Sequence, residues 1–322
     1  MKGIQYSCLI FLLLFFNCQK QSKVVGDTKT IVTKKQSKQY ITVLGIAQDA
    51  GFPQINCERT CCAAFYEGNE TKKLVSCLGL IDLESKKKWL FDATPDINQQ
   101  TRILSKEHLD NGKVVDGIFL THAHIGHYTG LMNLGREALG ANKVPVYTMP
   151  GMKSYLEENG PWSQLVSLKN IELNTLKKDS TVRLNEQLKV TPILVPHRDE
   201  YSETVGFKIE GSAKSVLFIP DIDKWHKWER TIIEEVKKVD YAFLDASFFN
   251  NGELERDMSE IPHPFISETM TLFENESIET KGKIYFIHFN HTNPALKDNH
   301  HLKDSVQDLG FKFAKQGDNF EL

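Results

Sequence analysis

Three histidines, His122, His124 and His127, lie within a stretch of six residues. The apolar run GIFL before them, residues 117–120, predicts a buried strand, and residues 128–132 after them predict the start of a helix. Neutral imidazole is the commonest metal ligand, and histidine-rich sites suit zinc as well as iron, copper and nickel. Because the chain has only 11 histidines, three in one turn favour a metal site over a solvated polar loop.

The overall composition is that of a soluble globular protein. The chain has 322 residues, a formal net charge of −3 and 40% hydrophobic residues. This length allows one large α/β domain or two smaller ones, with ample material for a core. The sequence carries no basic stripe, so we expect no nucleic-acid partner and a small molecule as substrate.

The N-terminus predicts export. Lys2 precedes an apolar segment, residues 8–16, that is too short to cross a bilayer as a permanent helix. Cys18, just after it, is similar to the lipidated cysteine of bacterial lipoproteins. That resemblance implies a signal peptide over residues 1–17, a membrane partner through lipid on Cys18, and a periplasmic location, preferably at the outer membrane because Gln19 is not acidic. An uncleaved anchor and a plain secretory signal are alternatives that also place the domain outside the cytoplasm.

The remainder divides into a tether and one domain. Residues 18–39 are rich in Lys, Ser, Thr and Gln without apolar periodicity, which predicts a flexible tether. Residues 40–322 form the predicted domain. Within it, apolar periodicity predicts continuous helices over residues 97–108, 225–236 and 295–309, among other elements.

Four cysteines lie in the domain: Cys57, Cys61, Cys62 and Cys77. An exported protein permits disulfides. The spacing Cys57-x3-Cys61-Cys62 in a Gly- and Pro-rich loop equally suits a structural metal bound by thiolates. Cys77 is then either the fourth ligand or an unrelated strand residue, and both interpretations of the cysteines are open.

Six predicted strands end in residues that can bind metal. These residues are Asp92, His122 with His124, His197, Asp221, Asp245 and His288. Ligands along one edge of a sheet are what a metal site between strand ends requires. No glycine-rich phosphate loop competes with this interpretation, since the nearest candidate, Gly126-x3-Gly130, lacks the lysine of a P-loop.

The order and spacing of these candidate ligands resemble those of the metal ligands in the metallo-β-lactamase superfamily. That family's turn reads His-x-His-x-Asp-His, where this chain has His122-x-His124-x-Gly126-His127. The resemblance covers the chain from Tyr40 to its C-terminus and implies a four-layer αββα sandwich. It also implies that the later ligands of the family match, in order, His197, Asp221 as the bridging carboxylate, and His288.

Within that superfamily the chain resembles the pyrroloquinoline quinone biosynthesis protein B group. The resemblance rests on residues 51–57 (GFPQINC), 92–97 (DATPDI) and 286–294 (FIHFNHTNP). The departures are a different cysteine spacing, a lipoprotein-like N-terminus, and the two turn histidines His122 and His124, which that group tends to lose. We therefore expect fold and lineage to transfer better than activity.

The family's ligand set implies a catalytic metal site. His122, His124 and His197 would make a three-histidine zinc site with an open fourth position, which is a catalytic arrangement. Zinc lowers the pKa of bound water to about 7. Asp221 would bridge to a second metal ion, whose remaining ligands would be His127 and His288.

Gly126 stands where the family has a carboxylate that binds the second metal. One interpretation is a single-metal site with His127 and Asp221 supporting it or acting as general base. The other is that His291 or Asp96 restores the second position; we favour one tightly and one weakly bound ion. Gly126 is alternatively a turn residue that needs a positive φ angle.

Further residues have supporting roles. The resemblance implies that His263, in the segment IPHP, donates a proton to the leaving group; the alternative is an ordinary histidine on an exposed loop. Asp245 is expected to hold a ligand histidine by its second ring nitrogen. Asp92, at the end of its strand, is a further supporting candidate, with Asp96 and His291.

Three functions are open. The first is a metal-dependent hydrolase in which metal-activated water attacks an ester, lactone, lactam or phosphodiester, with zinc as one or two ions. The second is an iron-dependent oxygenase related to pyrroloquinoline quinone biosynthesis, with His127, Asp221 and His288 around the iron. The third is a lipid-anchored binding protein with a vestigial metal site, an interpretation that Gly126 favours.

Overall fold

The computed structural model describes residues 38–297 and 300–322. The predicted signal peptide, Cys18 and nearly all of the predicted tether lie outside these residues. The tether prediction is one residue too long, because Gln39 already begins the first strand and is buried. Within the described ranges, no helix has the length and apolar character that crossing a membrane requires.

The first sheet contains seven strands, and its inner strands are apolar on both faces. The strands are β1 (Gln39–Gly45), β2 (Cys77–Asp82), β3 (Lys87–Phe91), β4 (Gly117–Phe119), β5 (Val144–Thr148), β6 (Ile171–Thr175) and, last in the chain, β14 (Asn319–Glu321). They are ordered β14-β1-β2-β3-β4-β5-β6. β2 and β3 form an antiparallel hairpin, whereas β3 to β6 run parallel.

The second sheet also contains seven strands. They are β7 (Val182–Arg183), β8 (Lys189–Leu194), β9 (Val205–Glu210), β10 (Ser215–Ile219), β11 (Tyr241–Asp245), β12 (Ile284–Ile287) and β13 (Lys312–Phe313). They are ordered β13-β12-β11-β10-β9-β8-β7, with β10 to β13 parallel and β7 to β10 antiparallel. In both sheets the parallel strands bring their carboxyl ends to one edge.

The core between the sheets is aromatic. Phe91 and Phe119 of the first sheet stack with ring centroids 5.1 Å apart, and Phe207 of the second sheet lies 5.4 Å from Phe91. Because side chains alternate along a strand, Ile118 faces away from Phe119 and packs under the outer helices. The two sheets with helices outside them confirm the predicted αββα sandwich.

Helices cover the outer faces. They are α1 (Thr60–Tyr66), α2 (Ile97–Ile103), α3 (Ile125–Tyr128), α4 (Pro150–Glu158), α5 (Trp162–Ser167), α6 (Ile232–Lys237), α7 (Ile266–Leu272), α8 (Ile278–Lys281) and α9 (His301–Asp308). A π-helical turn, Leu104–His108, continues α2, and 3₁₀ turns occupy Thr129–Leu134, Trp225–Lys227 and Pro294–Leu296. The short α3 matters most here, because it carries Gly126 and His127.

Two predicted helices are interrupted. In place of the helix expected over residues 225–236, a 3₁₀ turn precedes the shorter helix α6. The two buried indoles find acceptors in other segments. Trp225 Nε1 donates to Thr269 Oγ1 (2.9 Å), and Trp228 Nε1 donates to the carbonyl of Leu194 (2.8 Å). The helix expected over residues 295–309 is likewise split, into the turn Pro294–Leu296 and α9. In the first of these segments residues 228–231 are not helical, although the apolar side chains on either side of them are buried.

Candidate metal centre

The strand ends converge at one edge of the sandwich, as the sequence predicts. His122 follows β4, Asp221 follows β10 and His288 follows β12. His288 has φ 68° and Asp92, after β3, has φ 72°, a conformation that residues with a Cβ rarely adopt. Such backbone is retained where the surroundings fix a side chain in one direction, and it often marks a functional site.

One group of ligand atoms combines four of the predicted residues. His122 Nε2, His124 Nδ1, His197 Nε2 and Asp221 Oδ2 all lie within 4.8 Å of one another. His124 Nδ1 is 2.9 Å from His122 Nε2 and 3.2 Å from His197 Nε2, and Asp221 Oδ2 is 3.3 and 3.2 Å from the same two nitrogens. Zinc bonds of about 2.0–2.1 Å at tetrahedral angles separate neighbouring ligand atoms by about 3.4 Å. The spacing is therefore that of ligands around one small ion.

A second group of ligand atoms lies beside the first. It comprises Asp49 Oδ1, His127 Nε2 and His288 Nε2. Asp49 Oδ1 is 3.4 Å from His127 Nε2 and 3.8 Å from His288 Nε2. Asp221 Oδ2 is 3.9 Å from His127 Nε2, so this carboxylate lies between the two groups.

Each of the five imidazoles points one nitrogen at the centre and the other at an outer partner. The outer contacts are His122 Nδ1 to Thr121 Oγ1 (2.9 Å), His124 Nε2 to Glu200 Oε2 (2.9 Å), His127 Nδ1 to Asp92 Oδ2 (2.7 Å), His197 Nδ1 to Asp223 Oδ1 (3.2 Å) and His288 Nδ1 to Ser247 Oγ (3.0 Å). Partners of this kind fix the ring orientation and the tautomer of metal-binding histidines. The rings are thus oriented for a ligand by the protein itself.

Four buried atoms in the centre make no hydrogen bond to any described residue: Asp49 Oδ1, His127 Nε2, Asp221 Oδ1 and His288 Nε2. Leaving buried polar atoms unpaired is unfavourable by about 1–3 kcal/mol each. Convergent imidazole nitrogens and carboxylate oxygens are the donors that zinc takes, and iron shares them. The residues present therefore fit one or two metal ions.

The charges within the centre favour the same conclusion. Burial and the charge of His127 hold the pKa of His122 well below its usual value, which keeps that ring neutral as a metal ligand must be. Burial also lowers the pKa of His127, but the Asp92 and Asp49 carboxylates outweigh it and raise that pKa to about 10, so this ring would release a proton on binding a metal ion. Burial raises the pKa of Asp221, yet His263 and the ligand histidines bring it well below the usual range. The carboxylates thus remain anionic and attract a cation.

His263 lies inside the site. It is only 6% exposed, so the alternative of an exposed loop histidine is wrong. His263 Nδ1 is 2.8 Å from Asp245 Oδ2 and 3.1 Å from Asp221 Oδ1. Burial lowers its pKa, but these two carboxylates raise it well above the usual value. Asp245 also accepts hydrogen bonds from Ser247 N and Oγ, so it orients His263 directly and His288 through Ser247.

Asp92, which was expected to support the site, contacts His127. Besides contacting His127, its carboxylate accepts hydrogen bonds from the backbone and the hydroxyl of Thr121. It therefore ties the end of β4 to the histidine turn.

Asp96 and His291, the residues predicted to replace the missing carboxylate, do not join either group. Asp96 forms an ion pair with Lys72 (2.6 Å) and accepts a hydrogen bond from Val75 N (3.0 Å), which gives it a structural role. His291 is half-buried, and burial together with nearby Arg59 lowers its pKa. The carboxylate of the second group is instead Asp49.

Gly126 does not need a positive φ angle, and that interpretation is corrected. Its backbone is ordinary for the first turn of α3, whereas a Cβ built on it would lie 2.5 Å from Asp49 Cα and 2.5 Å from Asp49 Oδ1. Real Cβ atoms do not approach neighbours this closely. The glycine is required by the carboxylate beside it.

The cysteines divide into a cluster and a single residue. Cys57, Cys61 and Cys62 bring their sulfurs within 4.8 Å of one another, and Cys57 Sγ is 3.6 Å from Cys61 Sγ. All four described cysteines are free thiols. Cys77 packs in the hydrophobic core between the first sheet and the outer helices, and its Sγ lies 3.6 Å from the carbonyl of Asp92. The prediction of Cys77 as the fourth ligand is wrong, because it is a buried strand residue.

Sequence reasoning missed Asp49 and the outer partners Thr121, Glu200, Asp223 and Ser247. For Asp49 a signal existed. It lies in the turn QDAG after β1, and the rule that strand ends carry ligands, applied to β1, would have included it. Thr121 lies beside His122 in the turn, whereas Glu200, Asp223 and Ser247 have no recognisable sequence signal, because each contacts its histidine from a distant segment.

Residues 87–289 match the beta-lactamase superfamily domain. The match spans more than half of the chain and includes all the predicted histidine and aspartate ligands. The chain therefore belongs to the beta-lactamase superfamily, which confirms the resemblance found in the sequence.

Similar proteins extend the comparison to nearly the whole domain. The coenzyme PQQ synthesis protein B of Methylorubrum extorquens is 25% identical over 320 residues, covering 88% of this chain and 100% of that protein. The protein of the same name from Klebsiella pneumoniae is 26% identical over 307 residues, covering 86% and 96%.

Solved structures share the fold. Zn²⁺-bound PqqB from Methylobacterium extorquens superposes with a TM-score of 0.72 at 21% identity, covering 88% of this chain and 100% of that one. A diphosphatase of the PhnP family gives a TM-score of 0.60 at 21% identity, covering 88% and 97%. The short form of human tRNase Z gives a TM-score of 0.54 at 15% identity, covering 88% of this chain and 98% of that one.

Proposed function

We propose that this protein is a metal-dependent hydrolase that uses its histidine–aspartate centre to cleave a small-molecule ester, lactone, lactam or phosphodiester. The observation that carries the proposal is the group His122, His124, His197 and Asp221, whose ligand atoms lie within 4.8 Å of one another. The diphosphatase and the tRNase Z that share the fold make phosphate esters the first substrates to test.

The residues divide the work between binding and proton transfer. His122, His124 and His197 would hold the metal ion, with Asp221 beside it and between the two ligand groups. A bound zinc ion supplies Lewis acidity toward a substrate oxygen and lowers the pKa of water. The protein excludes bulk water around these groups, since His122, His127 and His288 are buried.

His263 is the proton donor in this proposal. Its Nδ1 contacts Asp245 and Asp221. Its polar contacts with the described residues are made through Nδ1, so Nε2 is available to the substrate. The two carboxylates favour the protonated ring. As the bond to the leaving group breaks, Nε2 donates its proton to the leaving oxygen or nitrogen, and Asp245 stabilises the ring in position.

The test is a panel of chromogenic substrates, one for each bond type, with purified protein, zinc and a chelator control. His197→Ala should abolish turnover, whereas His226→Ala, which changes an exposed histidine outside the centre, should leave it intact. Loss of activity in both variants, or in neither, would contradict the proposal.

A second candidate is a role in the synthesis of the coenzyme PQQ, as an iron-dependent oxygenase. The observation that favours it is the similarity to the PQQ synthesis proteins over 88% of the chain. The two candidates differ in metal and co-substrate. Consumption of O₂ by the iron-loaded protein with a tyrosine-containing peptide, and no hydrolysis of the panel, would select the oxygenase.

The third interpretation, a vestigial site, rested on Gly126. With Asp49 beside that glycine, the centre has a carboxylate in the second group, and the reason to expect a vestigial site is gone.

We also propose that the protein is exported and anchored at the periplasmic side of a membrane by lipid on Cys18. The support is the sequence alone: a short apolar segment followed directly by a cysteine. Cys18→Ser should release the protein from the membrane fraction of cells. If the variant stays in that fraction unchanged, the lipid anchor is wrong.

A further inference from the structure

We infer that Asp49 supplies the second metal ion with the carboxylate that the family's His-x-His-x-Asp-His turn would place at position 126. The ligand has moved from the histidine turn to the loop after β1, and the glycine makes room for it. The inference rests on the proposed metal-dependent function, but it concerns which residues bind the second ion.

The first argument is geometry. Asp49 Oδ1 is 3.4 Å from His127 Nε2 and 3.8 Å from His288 Nε2. Ligand atoms around a tetrahedral zinc ion lie about 3.4 Å apart. At these distances the three atoms are too far apart for good hydrogen bonds, but they suit a shared cation.

The second argument is that all three atoms lack partners. Asp49 Oδ1, His127 Nε2 and His288 Nε2 are buried and accept or donate no hydrogen bond within residues 38–297 and 300–322. Both histidine side chains are completely buried, so water has little access to them. Buried polar atoms are normally hydrogen-bonded, so three that converge without such partners fit a shared cation.

The third argument is mutual exclusion. A side chain at position 126 would begin 2.5 Å from both Cα and Oδ1 of Asp49. A carboxylate at 126 and the observed Asp49 therefore compete for one place. The chain has one carboxylate there, contributed by the other segment.

The loop that carries Asp49 is fixed next to His288. Gln48 N donates to the carbonyl of Phe289 (2.8 Å), and Phe289 N donates to the carbonyl of Ile46 (2.8 Å). Asn290 Nδ2 donates to Gln48 Oε1 (2.7 Å), and Gly51 N closes the turn on the carbonyl of Gln48 (2.8 Å). The first sheet is thus joined to the residue after β12, which places Asp49 without relying on the histidine turn.

Metal content tests the inference without measuring activity. The full-length protein is saturated with zinc, freed of excess metal and assayed by elemental analysis, beside Asp49→Ala and the conservative Asp49→Asn. We expect Asp49→Ala to hold one zinc equivalent less per chain than wild type. Asp96→Asn is the matched control, because Asp96 has only structural partners, and it should hold as much zinc as wild type.

A double variant shows that the same ion is involved. His127→Ala should lose one equivalent, and Asp49→Ala/His127→Ala should lose no more than either single variant. Any zinc that the cysteine cluster binds is common to all variants and cancels in these differences. Thermal unfolding of each variant separates loss of metal from loss of the fold, and Asp49→Asn serves if the alanine variant does not fold.

Two results would overturn the inference: equal zinc in wild type and a folded Asp49→Ala, or equal losses in Asp49→Ala and Asp96→Asn. Its failure is distinct from that of the proposed function. Hydrolysis with an unchanged zinc count in Asp49→Ala would reject the Asp49 ligand alone. A lost equivalent in a protein that hydrolyses nothing would reject the hydrolase alone.

Discussion

The histidine centre and the cysteine cluster both begin from three like residues close in sequence, and they differ in what surrounds them. Four of the five imidazoles of the centre have an outer partner on another segment, such as Asp92 for His127 and Asp223 for His197, whereas His122 contacts the adjacent Thr121. The thiols of the cluster contact one another instead. The fold therefore orients the ligands of the centre, whereas the cluster is arranged by its own loop and α1.

The difference extends to protonation. In the cluster, burial raises the pKa of Cys57, but the backbone at Arg59 and the neighbouring thiols lower it below its usual value. Burial raises the pKa of Cys62 to about 12. The thiols of the cluster therefore differ in acidity, and Cys57 is the most acidic of the three. The centre, in contrast, already holds its carboxylates as anions, so the two sites should respond differently to substitution.

The largest effect is expected for Asp221→Asn, because Asp221 lies between both ligand groups and beside His263. Losing its charge should lower kcat/KM by about 10³-fold, equivalent to roughly 4 kcal/mol of transition-state stabilisation. Kinetics on the best substrate of the panel, with zinc analysis in parallel, measure this. Zinc on the cysteine cluster should remain. A variant within tenfold of wild type would show that Asp221 is not at the reacting centre.

His263→Gln should have the next largest effect. Loss of a positioned general acid lowers rates by about 10²–10⁴-fold. The decrease in kcat should be large for substrates with poor leaving groups and small for those with good ones, because the latter need no proton. A uniform decrease across leaving groups would indicate a structural role. Zinc content should be unchanged in this variant, which separates proton donation from metal binding.

The αββα fold was predicted from the resemblance to the superfamily, and most residues that meet at the centre were predicted from their places at strand ends. Apolar strands that end in His or Asp place ligands at a sheet edge whatever their partners are. The helix interruption at Trp228 was missed, because it depends on an acceptor in a distant segment, the carbonyl of Leu194. Asp49 carries the strand-end signal after β1, but its place beside His127 and His288 depends on the pairing of that loop with Phe289.

Asp92→Asn should have an intermediate effect, because it acts on the centre through His127. Changing an outer partner of a metal-binding histidine typically lowers metal affinity or activity by about 10–100-fold. Competition with a zinc-binding dye measures the affinity. Glu200→Gln is the matched comparison, since Glu200 holds His124 in the same way but its side chain is 47% exposed. Because solvent can replace that contact, we expect Glu200→Gln to lose less zinc affinity than Asp92→Asn. Equal losses of affinity would show that burial of the outer partner does not matter.

The smallest effect on catalysis is expected for Cys57→Ser. We propose that Cys57, Cys61 and Cys62 bind a structural zinc ion, and the variant should hold one zinc equivalent less per chain and unfold at a lower temperature. Because no ligand atom of the centre belongs to this cluster, kcat/KM should stay within about twofold of wild type. Cys77→Ser is the matched control: it changes a buried thiol in the other core, so it should lower stability at constant zinc. If both serine variants retained all their zinc, the cluster would be a group of packed thiols, and metal binding would be confined to the histidine centre.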